Sequence, residues 1–279
     1  MTRPDTTITA IVANRLCHGC GVCAGLFSDH LDMVDDEDLG RRPRFRGIVD
    51  PVVDRQAARV CSGIWQASAF VEDRPDGPDA VADHWGPVLE VWEGHAADPD
   101  IRHKGSSGGA VSGLAAFALA ENRAQAVVHT KPDPDDPALS RSAISRDRDG
   151  LIQGAGSRYA PSSPGQELRS LTDDAEKIVF IGKPCDVAAL VAAEREQPAL
   201  AQRVALRIGI FCAGTPATKA TRGLIEHLSL EAKLPSVDQF RYRGHGWPGK
   251  MTATALKDDG ELIGEASTSY DIGWGTFLQ

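Results

Sequence analysis

From residue 88 onward, short runs of branched and aromatic residues alternate with longer stretches in which small and apolar residues recur at helical spacing. Val88-Leu89-Glu90-Val91-Trp92 reads as a strand, 107–121 as a helix, Ala126-Val127-Val128-His129 as a strand and Ala143-Ile144-Ser145 as another. A strand over 177–181, a helix over 186–196, a strand over 204–211 and a helix over 217–230 follow. Strand-like 237–242 and 251–256 then flank a turn rich in Gly and Pro. Strands alternating with helices of this length predict α/β units on an open, largely parallel sheet flanked by helices. The proline- and aspartate-rich stretch 131–139 reads as a surface excursion.

The first part of the chain has a different texture. It is short on periodic structure and rich in acidic and turn residues, as in Asp35-Asp36-Glu37-Asp38-Leu39-Gly40. Such a segment would owe part of its order to a bound group. The chain is accordingly divided into an N-terminal segment, 1–80, and an α/β domain, 81–279.

Composition narrows the class. At 279 residues the chain can bury a large core. Six cysteines without a secretory leader read as ligands or buried thiols in a reducing, cytoplasmic setting rather than as a disulfide framework. The longest apolar run, 110–120, is interrupted by Ser112 and Gly113 and is far short of the ~20 residues that span a bilayer. A formal charge of -9 argues against a nucleic-acid surface. Neither a membrane nor a nucleic acid is expected as a partner.

The candidate chemistry starts at Cys17-His18-Gly19-Cys20-Gly21-Val22-Cys23, with Cys61 further on. A C-x2-C-x2-C turn gathers three thiolates, and a distant fourth completes the set an iron–sulfur cluster requires. Glycines at 19 and 21 suit a loop that wraps a cluster closely. Zinc takes the same donors and His18 and His30 lie near, but zinc sites usually pair two separate hooks, which favours the cluster. The ferredoxin run would place a fourth cysteine at position 27, which is Phe27. The segment is therefore ferredoxin-like with one cluster, closed most simply by Cys61.

A second candidate is Arg102-His103-Lys104-Gly105-Ser106-Ser107-Gly108-Gly109, ahead of a helix of small residues. Ser106 or Ser107 as cap, with Gly108 and Gly109 allowing close approach, would cradle a nucleotide pyrophosphate. A capped helix packed tightly on the sheet explains the same residues. Two strand ends carry polar groups, Gly182-Lys183-Pro184-Cys185-Asp186 and Phe211-Cys212-Ala213-Gly214-Thr215. Ligands in open α/β sheets lie outside the carboxyl ends of strands, which would put Lys183, Cys185, Cys212 and Thr215 at a site. Taken alone, Cys185 and Cys212 read more simply as small buried apolar residues. In the 241–249 turn, Arg241, Arg243, His245 and Trp247 are explained by the turn, or as a clamp on a planar anion.

The motifs combine into a resemblance. Cys17-x2-Cys20-x2-Cys23, Lys104-Gly105-Ser106-Ser107-Gly108-Gly109, Gly156-Ser157-Arg158-Tyr159, Gly182-Lys183-Pro184-Cys185, Ile210-Phe211-Cys212 and 241–249 occur in the order seen in one family. From about Cys17 to its end the chain resembles the beta subunit of coenzyme F420 hydrogenase and dehydrogenase, a family that includes plant hydroxymethyl-chlorophyll reductase. The resemblance implies an iron–sulfur flavoprotein oxidoreductase, in which FAD lies beside a [4Fe–4S] cluster and exchanges electrons with an organic hydride carrier such as coenzyme F420. It also allows an electron-relay subunit that feeds a hydrogenase or formate dehydrogenase chain, with a partner subunit or ferredoxin and no turnover of its own.

By position, the resemblance makes Cys17, Cys20, Cys23 and Cys61 cluster ligands. It places Ser106, Ser107, Gly108 and Gly109 on the FAD phosphates with Lys104 in support, and Ser157, Arg158 and Tyr159 near the flavin or its nucleotide. Lys183 and Cys185 become the candidate catalytic residues, Lys183 beside the isoalloxazine. Cys185 and Cys212 would line the flavin site or hold a further cluster. Two departures stand out. Ser62-Gly63 follows Cys61 where relatives tend to carry Pro-Gly, and the chain ends at Gln279 before a further cysteine group of the relatives, which reads as truncation.

Overall fold

The computed structural model describes residues 6–64, 88–171 and 175–277. The boundary expected between residues 80 and 81 lies outside them.

The N-terminal segment is more regular than its sequence suggests. Helix α1 (Ile8–Ala13) is capped by Thr7, whose side chain accepts from the Ala10 N–H. Helix α2 (Val22–Leu26) leaves the cysteine loop at Gly21, which has φ 80°. Strands β1 (Leu31–Asp36) and β2 (Gly40–Phe45) pair antiparallel, from Leu31 opposite Phe45 to Asp36 opposite Gly40. The acidic run is the hairpin's turn: Asp36 Oδ1 accepts the Asp38 and Leu39 N–H groups. Helix α3 (Pro51–Arg59) begins with Pro at its first turn and Asp50 capping Val52 and Val53. It is tied to α1 because buried Asp54 accepts from the Thr9 backbone and hydroxyl.

The central sheet has the order β4-β3-β5-β6, with β3 Ala126–Pro132, β4 Ser140–Ser145, β5 Ile178–Gly182 and β6 Val204–Gly209. The β3–β5 and β5–β6 pairings are parallel and β3–β4 is antiparallel, so the sheet is partly rather than largely parallel. The reason is connection length. Only residues 133–139 separate β3 from β4, too few for a crossover, which takes about a dozen or more. Alternation along β3 and β5 splits their side chains between two layers. Val128, Phe180 and Ile178 face a core shared with Ile8, Ile11, Val22, Leu31 and Leu190, whereas Val127 and Val179 face Ala115, Ala118 and Leu151.

Helices α4 (Pro99–Lys104), α5 (Ala110–Ala120) and α6 (Arg148–Gln153) precede β5. Helices α7 (Pro184–Glu196) and α8 (Pro198–Arg203) link it to β6. Helix α9 (Thr218–Ala232) leads to a second sheet, β7 (Gln239–Arg241), β8 (Lys250–Leu256) and β9 (Leu262–Ser269), all antiparallel, and to α10 (Tyr270–Phe277). Leu224, Leu228, Phe240, Tyr242 and Met251 form the core between them.

Two expected elements change. Residues 88–94 form no strand; Leu89, Val91 and Trp92 are exposed, and among the described residues no strand pairs with this segment. The helix expected from 107 begins at Ala110, because Ser107, Gly108 and Gly109 hold left-handed backbone, with φ of 49°, 66° and 69°. Among the described residues no helix is long and apolar enough to cross a membrane.

Candidate functional site

Cys17, Cys20, Cys23 and Cys61 are buried free thiols that line one cavity, roofed by Met33 and Pro43 of the hairpin. The loop that presents the first three is fitted closely to its surroundings. A Cβ on Gly19 would lie 2.6 Å from the Arg41 carbonyl oxygen, and one on Gly21 2.8 Å from the Gln166 nitrogen, and both glycines have positive φ. Buried Ser163 fastens the loop from far along the chain: its hydroxyl donates to the Gly19 carbonyl at 2.6 Å and accepts from Arg41 Nε at 2.9 Å. His18 Nδ1 and Ser62 Oγ, 3.4 Å apart, bring the Cys17 and Cys61 loops together. Nothing in the local sequence marks Ser163 or Arg41 for this role.

Burial governs the electrostatics of these sulfurs. It pushes the Cys61 thiol up to about 11 against the Gly63 N–H, raises Cys17, and raises Cys20 well above the usual thiol range with help from its neighbours Cys23 and Asp186. Thiolates here require a compensating cation, and metal binding would release protons. A [4Fe–4S] cluster fits this donor set: four cysteines lining one small cavity, with the Gly19 and Gly63 N–H groups directed at Cys17 and Cys61 Sγ, each at 3.4 Å. Among the described residues no three His, Cys, Asp or Glu side chains converge on one point as a single ion demands. A cluster asks less, since each thiolate meets a different iron, whereas zinc needs all four sulfurs about 2.3 Å from one atom.

A second cleft, of about 300 Å³, adjoins the first, and Cys17 and His18 wall both. Lys183, Cys185, Cys212 and Thr215 all line it, as the strand-end argument expects. Gly182 ends β5, and a Cβ there would lie 2.7 Å from Asp186 Cβ. Lys183 caps α7: its N–H and its Nζ each donate to Asp186 Oδ2 at 2.8 Å, and Nζ also donates to Ser162 Oγ at 3.1 Å. Burial disfavours the Lys183 ammonium, but the Asp186 carboxylate outweighs it and holds its pKa above the ordinary lysine value. Burial likewise pushes the Cys185 thiol up to about 11. Cys212 is exposed, which corrects its reading as a buried apolar residue.

The Ser106–Gly109 turn forms a third feature. A Cβ on Gly108 would lie 2.9 Å from His95 Cβ, and one on Gly109 2.6 Å from the Ile101 carbonyl oxygen, so no larger residue fits either position. Neither serine caps α5, whose N-cap is Gly109; Ser106 Oγ instead accepts the Ser157 N–H at 2.9 Å. Arg102, His103 and Lys104 occupy the last turn of α4, where the helix dipole favours cations, and Lys104 pairs with Asp100 at 3.3 Å. In that position the basic residues complement the helix that they close and do not by themselves call for a bound anion.

The 243–249 turn lies across this cradle. A Cβ on Gly244 would come within 2.2 Å of the Lys104 carbonyl oxygen, and the Gly246 N–H donates to the His103 carbonyl at 3.0 Å. Between them is a cleft of about 430 Å³ lined by Arg102, Ser106, Ser107, Gly108, Arg243 and Trp247 among others. The Arg243 guanidinium stacks over Tyr270 and Trp247, at 5.1 and 5.5 Å from the ring centres, and its buried Nε has no hydrogen-bond partner. Arg158 and Tyr159 point elsewhere and line neither cleft. Arg158 donates to Ser140 Oγ and the Leu139 carbonyl, and Tyr159 packs edge-on to Tyr242 and Trp274. Arg241 holds the turn itself, through the Gly244 and Lys250 carbonyls.

Comparison with known proteins follows this geometry. Residues 91–168 match the family model "Coenzyme F420 hydrogenase/dehydrogenase, beta subunit N-term", and residues 175–272 match the corresponding C-terminal model. The four cluster-type cysteines precede both matches. A relative is the F420-dependent formate dehydrogenase 1 subunit beta of Methanococcus maripaludis, 30% identical over 138 residues, which is 49% of this chain and 35% of that subunit. The match thus spans about a third of that relative's length. A solved structure of the F420-reducing [NiFe] hydrogenase complex from Methanosarcina barkeri aligns with a TM-score of 0.49 at 19% identity, covering 66% of this chain and 61% of that one. With the cradle inside the first matched region and the Lys183 strand end inside the second, this chain belongs to the coenzyme F420 hydrogenase/dehydrogenase beta subunit family.

Proposed function

We propose that the chain is an iron–sulfur flavoprotein oxidoreductase subunit that passes electrons between a [4Fe–4S] cluster on Cys17, Cys20, Cys23 and Cys61 and an organic hydride carrier of the F420 class, through FAD. The observation that carries this reading is the shared wall. Cys17 and His18 face both the four-cysteine cavity and the Lys183 cleft, so a ligand of the first site borders the second. When bound, FAD and the cluster would supply the exchange between two-electron hydride chemistry and one-electron transfer.

The chain's own residues would bind, orient and exclude water. The Ser106–Gly109 turn offers backbone N–H groups and Arg243 offers an unpaired Nε to the diphosphate, while Trp247 offers an exposed ring for a base to stack on. Residues 157–162 run from Ser106 to Lys183 and can reach at most about 18 Å, which suits a dinucleotide lying between the two clefts. Lys183, fixed by Asp186 and Ser162, would hold positive charge and a donatable proton at the redox end. Met33 and Pro43 keep water from the sulfurs. Like the relatives named as beta subunits, the chain would work with further subunits.

The test is the visible spectrum of anaerobically purified protein before and after dithionite, with iron and flavin assayed on the same sample. A two-banded flavin spectrum over a broad absorbance that bleaches on reduction supports the reading. A colourless protein that stays so after reconstitution with iron, sulfide and FAD sinks it.

A further inference from the structure

We propose that the Lys183 cleft binds a small organic anion and that Arg42 is the specificity-determining residue that pairs with its acid group, an inference that rests on the function proposed above and names the class of its redox partner. Four charged side chains line this cleft: Asp38, Arg41, Arg42 and Lys183. Three are already neutralised. Asp38 pairs with Lys219, Arg41 with Asp35 at 2.8 Å, and Lys183 with Asp186 at 2.8 Å. Half-buried Arg42 donates only to the neighbouring Arg41 carbonyl, at 2.7 Å, and among the described residues no carboxylate lies within ion-pair distance of it.

One of two helix starts adds to this. Helix α7 begins at the cleft with Lys183 as cap, and α9 begins there with Ala217, which has no side-chain oxygen to cap the free N–H groups. The α7 start already meets the Asp186 carboxylate, whereas the uncapped positive end of α9 lies on the same cleft as the unpaired guanidinium. An unpaired guanidinium in a partly desolvated cleft is costly, and an incoming carboxylate or phosphate removes that cost through a fork of charge-assisted hydrogen bonds. The cleft is within the usual size range for small-molecule sites. An acid group held by Arg42 also sits beside Cys17, which orients the rest of the molecule along the wall shared with the cysteine cavity.

Two oxidised deazaflavins with the same 8-hydroxy-5-deazaflavin ring test this: coenzyme F420, which carries an acidic tail, and the same ring cut back to its ribityl alcohol, which lacks that tail. Each is titrated into anaerobically reconstituted protein and binding is followed by quenching of its fluorescence. Wild type should bind the acidic compound at least about tenfold tighter. Arg42→Gln should abolish that difference by weakening the acidic compound alone, and Arg42→Lys should restore part of it. The unchanged affinity for the tailless compound reports that the variant is folded. Equal affinities in wild type, or losses that are equal for both compounds, overturn the proposal. A sample without cluster or flavin absorbance that still discriminates between the two would keep the anion site and remove the redox function instead.

Discussion

Ser163 shows how much of the cysteine site depends on a residue that is not itself a donor. Its hydroxyl bridges the Gly19 carbonyl and Arg41, so it sets the shape of the loop that carries three sulfurs. Groups that orient metal ligands typically change affinity 10- to 100-fold when lost. Ser163→Ala is therefore expected to retain iron about tenfold less well after reconstitution, measured as iron per chain following a chelator challenge. Cys61→Ser should lose the bleachable absorbance, whereas Cys212→Ser, outside the four-cysteine cavity, should keep it. His129 gives a different residue-level prediction. Burial, with Lys131 nearby, lowers its pKa to about 4, and its Nε2 lies 2.8 Å from Ser145 Oγ. The unfolded chain takes up this proton near pH 6.5 and the folded chain only near 4, so stability falls as pH drops through that window. The loss should approach roughly 3 kcal/mol. Urea midpoints from pH 7 to 4 should fall steeply in wild type and less in His129→Gln.

At the scale of elements, the cradle is a meeting of two turns whose glycines are required by close backbone approach. Gly109 faces the Ile101 carbonyl and Gly244 the Lys104 carbonyl, both at positive φ. Gly109→Ala and Gly244→Ala should each destabilise by about 1–3 kcal/mol, read as a lower urea midpoint, and should weaken FAD binding. Gly223→Ala, in α9 with open space around its Cβ, should instead be neutral or slightly stabilising. Helix α4 and strand β9 were not legible in the sequence for separate reasons. The six-residue α4 is too short for periodicity to register, and β9 carries mostly small and polar residues and is a strand because β8 pairs with it. The converse holds for 88–92, which is rich in branched and aromatic residues but pairs with no strand among the described residues.

At the scale of the molecule, the N-terminal segment and the sheet share one core, in which Ile8, Ile11 and Leu31 meet Val128 and Phe180. Only part of that order comes from apolar burial, because the cysteine loop and Cys61 also meet across the cavity. Ligation would close that loop, and anything bound only by the folded state stabilises it. Stripping iron anaerobically should lower the unfolding temperature and raise hydrogen exchange first in 16–23 and 60–63. Strands β3 and β5, buried on both faces, should retain protection. A uniform change across the chain would contradict a site that locally fastens the N-terminal segment.

The residue order by itself determined the donor chemistry and the α/β alternation. C-x2-C-x2-C, Gly182-Lys183-Pro184-Cys185 and Ser106-Ser107-Gly108-Gly109 are local patterns, and local spacing decides which atoms a turn can present. Pairing direction, partners and which polar groups stay free were decided only by tertiary structure. The β3–β4 connection made the sheet mixed, Asp186 and Ser162 claimed Lys183, Ser140 and Leu139 claimed Arg158, and Arg42 was left without an ion-paired carboxylate among the described residues. The Ser162 and Ser140 contacts join groups 21 and 18 residues apart and the Ser163–Gly19 bond joins groups 144 apart, so the competition for these donors and acceptors lies beyond the reach of a local pattern.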